Sequence, residues 1–325
     1  MPIILGKHTL QSQYTLAPMA GLTDVPMRTL AWRYGAGYMV SEMVSSKPEL
    51  WETGKSRLRR VPVPNARPIA VQLAGTEPHV LAEAARRHTG EGVEVIDLNF
   101  GCPAKKVCRK SAGSALLADL DRIARIVDAV TNSVAVPVTM KTRTGLEPGD
   151  ELGLLAALIG EQAGVAMIVV HARSRACRFV GDVDYGAVRK IKDAVRVPVL
   201  VNGDIDSVAR AQYALGQSDA DGVMIGRGAF GRPWIFAELS GQGAPNRHEC
   251  WEVIAEHLTL MHEFYGEPAG VRIARKHILA YAENMGFVTT GFAGAELAQV
   301  ADAVGQLDWL QRARQNDYER QREAA

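Results

Sequence analysis

Eight short apolar runs punctuate the first two thirds of this chain and constrain its fold more than any other feature. They are YTLAPM (14–19), YMVSEM (38–43), PIAVQLAG (68–75), VEVIDLNFG (93–101), VPVTMKTRTG (136–145), AMIVVHAR (166–173), VPVLVNGD (197–204) and DGVMIGRG (221–228). Each is almost continuously apolar and ends in polar residues or glycine. That is the pattern of a strand buried on both faces, with function loaded at its C-terminal end. Helical periodicity separates several of the runs, in EPHVLAEAARRH, LDRIARIVDAVTNSV, DYGAVRKIKDAV and SVARAQYALGQ. Thr76 and Asp206 stand at N-cap positions, and Pro78 falls in the first turn of one helix. Eight strand–helix units predict an α/β protein with a (β/α)8 TIM barrel. A doubly wound open sheet is the alternative, disfavoured because no longer central crossover interrupts the units. Residues 3–5 and 9–13 predict a short hairpin capping the bottom of the barrel.

Near residue 241 the texture changes. SGQGAPNR is a Gly/Pro-rich linker, and ECWEVIAEHLTLMHEFYG, VRIARKHILAYAENM and AELAQVADAVGQLDWLQRARQ after it are all helical in period. The expected organisation is a barrel domain over 1–240 and a small C-terminal helical domain over 241–325.

Charge and cysteines narrow the function. Net charge is +1, so no global field favours a polyanion, and any such binding depends on local clusters. From residue 242 onward eight Lys/Arg face twelve Asp/Glu, which leaves the tail at −4 and the barrel at +5. Three basic runs follow strands: KSRLRR (55–60), KKVCRK (105–110) and RSRACR (173–178). Each alone reads as a solvated loop. Together on one barrel rim they suit a polyanion lying across the mouth. Four scattered cysteines lack metal-ligand spacing and suit reduced thiols, so no metal is expected. The N-terminus lacks a signal-peptide pattern and no apolar run approaches a membrane span, so a cytoplasmic protein without membrane contact is expected. A monomer is the expected state.

The strand ends carry the candidate chemistry. Asn202-Gly203-Asp204 follows the seventh run. Gly226-Arg227-Gly228 follows the eighth, within a GxGxxG spacing. In a barrel these two loops commonly bind phosphate through backbone N–H groups, with Arg227 as counter-charge. Gln72, Asn99, Lys141, Arg143 and His171 stand at strand ends around a common space. Lys141 could equally pair with Asp97, and a lone His is often structural. The collection fits a polar heterocycle wanting donors along one edge. A flavin mononucleotide meets the demand, with Lys141 beside a ring nitrogen that becomes anionic on reduction.

The motifs APMAGLTD, SEM, QLAG, DLNFGCPAKKV, AGSALL, KTRTG, HARSRAC, VNGDI and MIGRGAFGRPWIF, with RIARKHILAYA in the tail, resemble those of the tRNA-dihydrouridine synthases, most closely the bacterial B subfamily. The resemblance implies an FMN enzyme that reduces the C5=C6 bond of specific uridines in tRNA, with NADPH as reductant. It implies that Pro18, Met19, Ala20, Gln72, Lys141, Asn202, Gly203, Asp204, Gly226 and Arg227, joined by His171, bind the flavin. Cys102 is the implied proton donor to C5, as hydride reaches C6. Asn99 and Arg143 are implied beside the uracil. Lys105, Lys106, Arg109 and Arg173, with Arg272, Arg275 and Lys276 of the tail, are expected to meet the RNA. Two positions depart from the family pattern. His171-Ala172-Arg173 replaces His-Gly-Arg, placing a methyl where it could disturb the approach to the flavin. Cys108 replaces a common Asn and has no assigned role. Three rival readings remain: a flavin barrel acting on a free pyrimidine, a non-redox barrel lyase or isomerase, and an RNA-binding module without catalysis.

Overall fold

The computed structural model describes residues 2–287 and 292–324. A two-stranded hairpin, β1 (Ile4–Leu5) and β2 (His8–Thr9), opens the chain. Eight parallel strands follow: β3 (Tyr14–Leu16), β4 (Val44–Ser45), β5 (Ala70–Ala74), β6 (Val95–Asn99), β7 (Val138–Arg143), β8 (Met167–His171), β9 (Val199–Asn202) and β10 (Gly222–Ile225). They pair in the order β3-β10-β9-β8-β7-β6-β5-β4. Parallel bridges Leu16↔Met39 and Val40↔Ala70 join the two ends of this sheet and close the barrel. The second apolar run therefore behaves differently from the expectation. Residues 38–43 contribute bridges and two backbone bonds, Leu16 N–H to Tyr38 O and Ser41 N–H to Ala70 O, and regular strand appears only at β4.

Alternation sorts the strand residues. Val71, Leu73, Ile96, Leu98, Val138, Met140, Ile168, Val170, Val199, Val201, Val223 and Ile225 face outward and pack beneath the helices in one core. Ala70, Val95, Met167, Val169, Leu200 and Met224 face inward and meet Ile3, Leu5 and Leu10 of the hairpin. The hairpin thus fills the apolar bottom of the barrel, as expected, with shorter strands than 3–5 and 9–13. Inward positions nearer the C-terminal ends are Gln72, Asp97, Asn99, Thr139, Lys141, Arg143, His171 and Asn202, all 8% exposed or less except Lys141, which is half-buried.

The barrel helices are α1 (Val25–Arg33), α2 (Gly54–Arg60), α3 (Pro78–Gly90), the single turn α4 (Lys105–Cys108), α5 (Leu120–Thr131), α6 (Leu152–Gln162), α7 (Tyr185–Ala194), α8 (Val208–Ser218) and α9 (Ile235–Leu239). Two expected caps move by one residue. Ser207, not Asp206, caps α8 by accepting from Arg210 N–H at 3.3 Å, because its hydroxyl sits three residues before that donor. At α3 the N-cap is Glu77 and makes no side-chain cap bond; the Thr76 hydroxyl donates to Glu77 Oε1 instead. The sequence pattern singled out neither α1 nor α6. The LGLLAALIG of α6 is apolar nearly all round, so it carries little helical periodicity.

Beyond the linker, α10 (Arg247–Tyr265) starts with a capping box between Asn246 and Glu249. It packs on α11 (Glu267–Met285) and α13 (Ala303–Ala324), and α12 (Phe292–Gln299) packs on α11. The last expected helix is two, because Asp302 starts a new one by accepting from Gly305 N–H at 2.7 Å. Trp251, Ile254, Leu258, Ile278, Tyr281 and Leu310 form the tail's core, and Leu30 and Trp234 of the barrel portion share it. Among the described residues no helix is long and apolar enough to cross a membrane.

Candidate active site

Most of the polar inward residues fall into two hydrogen-bonded groups, one around Gln72 and Asp97 and one around Lys141 and Asn202. Gln72 Nε2 donates to Asp97 Oδ2 at 2.7 Å, and Gln72 Oε1 accepts from Asn99 Nδ2 at 2.7 Å. Asp97 Oδ1 accepts from the Thr139 hydroxyl at 2.6 Å. Burial raises the Asp97 pKa despite those donors. Sequence reasoning saw Asp97 only as a possible partner for Lys141. The ammonium bonds elsewhere, donating to Asn202 Oδ1 at 2.9 Å, while Asn202 Nδ2 donates to Met224 O. Burial, reinforced by the Arg143 charge, lowers the Lys141 pKa to about 8, with Asp97 opposing. His171 is neutral, because burial and then the charges of Lys141, Arg143, Arg173 and Arg227 push its pKa far down.

Cys102 follows β6 in a loop built from both sides. Asn99 Oδ1 accepts from Gly101 N–H at 3.2 Å and from Cys102 N–H at 3.0 Å. On the far side the Ser114 hydroxyl donates to the Cys102 carbonyl at 3.0 Å, and the Cys108 thiol reaches the same oxygen at 3.5 Å. Burial raises the Cys102 pKa; a backbone bond from Ala104 opposes this, Cys108 adds to it, and Arg143 and Lys141 oppose it weakly. The group is therefore a thiol at neutral pH, a proton source and a poor nucleophile. The four cations of the loop do not reach the sulfur. Lys105, Lys106, Arg109 and Lys110 are exposed and make no ion pair among the described residues.

Several expected substrate contacts are occupied by the protein itself. Arg143 is 1% exposed and donates to the carbonyls of Gly101, Ser174 and Arg178 at 2.8–2.9 Å, bracing the loops after β6 and β8. Arg173 is buried and paired with Asp204, which also accepts from Arg227 at 2.8 Å. The Arg173 hydrogen bonds hold the Asp204 carboxyl below the usual range. Asp204 thus serves as the shared counter-ion of two arginines. The 55–60 run folds as α2, and Arg57, Arg59 and Arg60 pair with Glu52, Glu42 and Glu91, so this run supplies less free positive surface than expected. In the tail Arg272 is exposed, whereas Arg275 donates to Val300 O at 2.8 Å and Lys276 donates to Gly21 O. Ala172 points away from the mouth. Its methyl is fully buried in the outer core, so the departure from glycine adds nothing beside the site.

The residues present suit a flavin phosphate and ring. The loops after β9 and β10 touch so closely that a Cβ on Gly228 would lie 2.3 Å from Ile205 O, so glycine is required there. The Arg227 guanidinium beside them is 60% exposed, leaving donors for an anion. Pro18, Met19 and Ala20 follow β3, and a Cβ on Gly226 would meet only Met19 Sδ and Ala17 Cβ at van der Waals distance. Gln72, Lys141 and neutral His171 face the same mouth from β5, β7 and β8. Among the described residues no group of three or more His, Cys, Asp or Glu is placed to hold a metal ion.

Comparison with known proteins agrees with this geometry. The family model described as dihydrouridine synthase (Dus) matches residues 15–319. The chain is 48% identical over 288 residues to tRNA-dihydrouridine synthase B of Pseudomonas aeruginosa, covering 86% of this chain and 87% of the relative. It is 46% identical over 287 residues to tRNA-dihydrouridine synthase B of Vibrio cholerae, covering 86% and 89%. Among solved structures, morphinone reductase superposes with TM-score 0.53 at 15% identity, covering 76% of this chain and 90% of that one. Histamine dehydrogenase from Rhizobium sp. 4-9 gives TM-score 0.52 at 12% identity, covering 80% and 50%. At such identities these two show a shared barrel fold alone.

Proposed function

This chain belongs to the dihydrouridine synthase family, and we propose that it reduces the C5=C6 bond of specific uridines in tRNA, using FMN that NADPH re-reduces. One observation carries the reading: a protonated, half-buried thiol, Cys102, on a loop locked by Asn99 and Ser114, at the rim of a donor-lined barrel mouth. Reduced FMN, when bound, supplies a hydride to C6 of the uracil. Lys141, Gln72 and His171 would line its ring, and Pro18, Met19 and Ala20 would flank it. The backbone of Asn202, Gly203, Asp204 and Gly226 would take its phosphate end beside the Arg227 guanidinium, which the Asp204 carboxylate holds in place. Lys141 would answer the negative charge of the reduced ring. Cys102 delivers its proton to C5, and a thiol whose pKa burial raises stays loaded for that step throughout the neutral range.

The uridine must leave its stack to reach the mouth. Lys105, Lys106, Arg109 and Arg272, exposed around it, supply sequence-independent phosphate contacts. Arg143 supports this site from beneath: its bonds to Gly101, Ser174 and Arg178 fix the two loops between which the base enters. The protein acts as a cytoplasmic monomer with residues 241–325 as its tRNA-holding domain.

The test is a visible spectrum of the purified protein, mass identification of the released flavin, and mass analysis of tRNA from cells lacking the protein. A yellow protein releasing FMN, with a dihydrouridine missing from tRNA, is expected. A colourless protein, or unchanged tRNA, would overturn the reading.

A further inference from the structure

Helix α11 reaches the barrel mouth at two places. Midway along it, the Lys276 ammonium donates to the carbonyl of Gly21, in the loop after β3. The N–H of that same Gly21 donates to the buried carboxylate of Glu42, so both backbone groups of one residue are gripped by side chains from opposite sides. Alongside, the Tyr265 hydroxyl of α10 donates to Asp24 Oδ2 at 2.9 Å, at the end of the same loop. Near its C-terminal end, α11 meets the loop after β10. Asn284 Nδ2 donates to Phe230 O at 3.0 Å, and the Phe230 ring lies edge-on to His277 with centroids 5.0 Å apart. Gly231 has φ +71°, and a Cβ on it would fall 2.4 Å from the Ala280 carbonyl carbon, so loop and helix backbones are in direct contact.

These two loops follow the paired strands β3 and β10 and lie side by side at the mouth, one carrying Pro18, Met19 and Ala20 and the other Gly226 and Arg227. We propose that α11 is part of the flavin-binding apparatus, with Lys276 and Asn284 as positioning residues that seat the two loops before FMN arrives. The inference rests on the FMN reading above. The physical reason is preorganisation: a loop held in its binding conformation loses less entropy when the ligand docks. The partly buried Gly21 carbonyl, deprived of its charged donor, is also left to find another partner. Burial lowers the Lys276 pKa while Asp24 and Glu42 pull it back, as fits an ammonium half-buried at this seam.

The sequence pattern assigned Lys276 to the RNA, and the two roles separate cleanly when no RNA is present. Apoprotein would be titrated with FMN, following flavin fluorescence, for wild type, Lys276→Met, Lys276→Arg and Asn284→Ala, with thermal melts checking that each is folded. Lys276→Met and Asn284→Ala are expected to weaken FMN binding about tenfold. Lys276→Arg keeps a cationic donor and is expected to stay within about threefold of wild type. Should a variant fail to fold, Tyr265→Phe replaces it, since that change deletes only the hydroxyl at Asp24. FMN affinities equal to wild type in the Met and Ala variants, with tRNA binding weakened in Lys276→Met, would overturn this inference alone. Wild-type apoprotein that binds no FMN would overturn the proposed function and this inference together.

Discussion

Cys102 and Cys108 lie six residues apart, and their surroundings separate them. Burial keeps Cys102 protonated, and Asn99 fixes its backbone from one side. Cys108 touches the Cys102 carbonyl only at sulfur distance, and Ser114 holds that oxygen more closely. Cys102→Ala should therefore retain FMN and NADPH oxidation yet lose about 10²–10⁴-fold in uridine reduction, the range for a general acid. Cys108→Ala should lose less than about tenfold, because the Ser114 hydrogen bond remains. Single-turnover oxidation of the reduced enzyme by tRNA measures both; full dihydrouridine formation by Cys102→Ala would remove it from its role. The candidate Cys was legible in the sequence through resemblance, because the DLNFGCPAKKV stretch after the fourth apolar run matches a family motif. What held it was less so, because Ser114 and Arg143 come from other segments that meet the loop only after folding.

At the scale of elements, strand alternation decides which residues can do chemistry. Gln72, Asp97, Asn99, Lys141, His171 and Asn202 share the inward face, and one residue's shift in register would bury them among the helices. The helices depend on their caps. Asp24 accepts from Met27 N–H at 3.0 Å to start α1, and burial raises its pKa to about 6. A carboxyl whose pKa is raised on folding stabilises fully below its unfolded value and loses that contribution as pH rises through about 6. Asp24→Asn keeps a capping oxygen and cannot titrate, so urea unfolding between pH 4 and 6.5 should show a stability slope that differs from wild type by this one group. Asp24→Ala should lose about 1 kcal/mol more, as a lost cap does. An unchanged slope in Asp24→Asn would place the proton elsewhere. No such role for Asp24 was legible in the sequence, since its partner Tyr265 lies more than two hundred residues away, nor for Glu42, whose carboxylate accepts from Gly21 N–H in a different loop.

For the whole molecule, buried histidines set the acid limit. His257 bonds Tyr281 at 3.0 Å, and burial lowers its pKa to about 3. His277 is fully buried, and among the described residues neither of its ring nitrogens has a hydrogen-bond partner; burial pushes its pKa well below the ordinary value. Groups lowered on folding stabilise above their unfolded pKa and lose that contribution as pH falls. For His257, with its pKa at about 3, that loss reaches about 2 kcal/mol by pH 5, and His277 adds to it in the same direction. The melting temperature should fall between pH 7 and pH 5, and His277→Leu, which removes the two unpartnered nitrogens of that ring, should shallow that fall while remaining folded at pH 7. A slope identical to wild type would show that His277 does not titrate on unfolding. The sequence by itself determined the barrel, the helical tail and the strand ends at which chemistry gathers, because doubly buried strands and amphipathic helices are written in local periodicity. Only the tertiary structure decided that Arg143, Arg173, Asp204 and Lys276 brace loops, and that Ala172 turns away from the mouth. Those roles depend on which side chains meet across the barrel and on direction at a strand's end, and local periodicity carries neither.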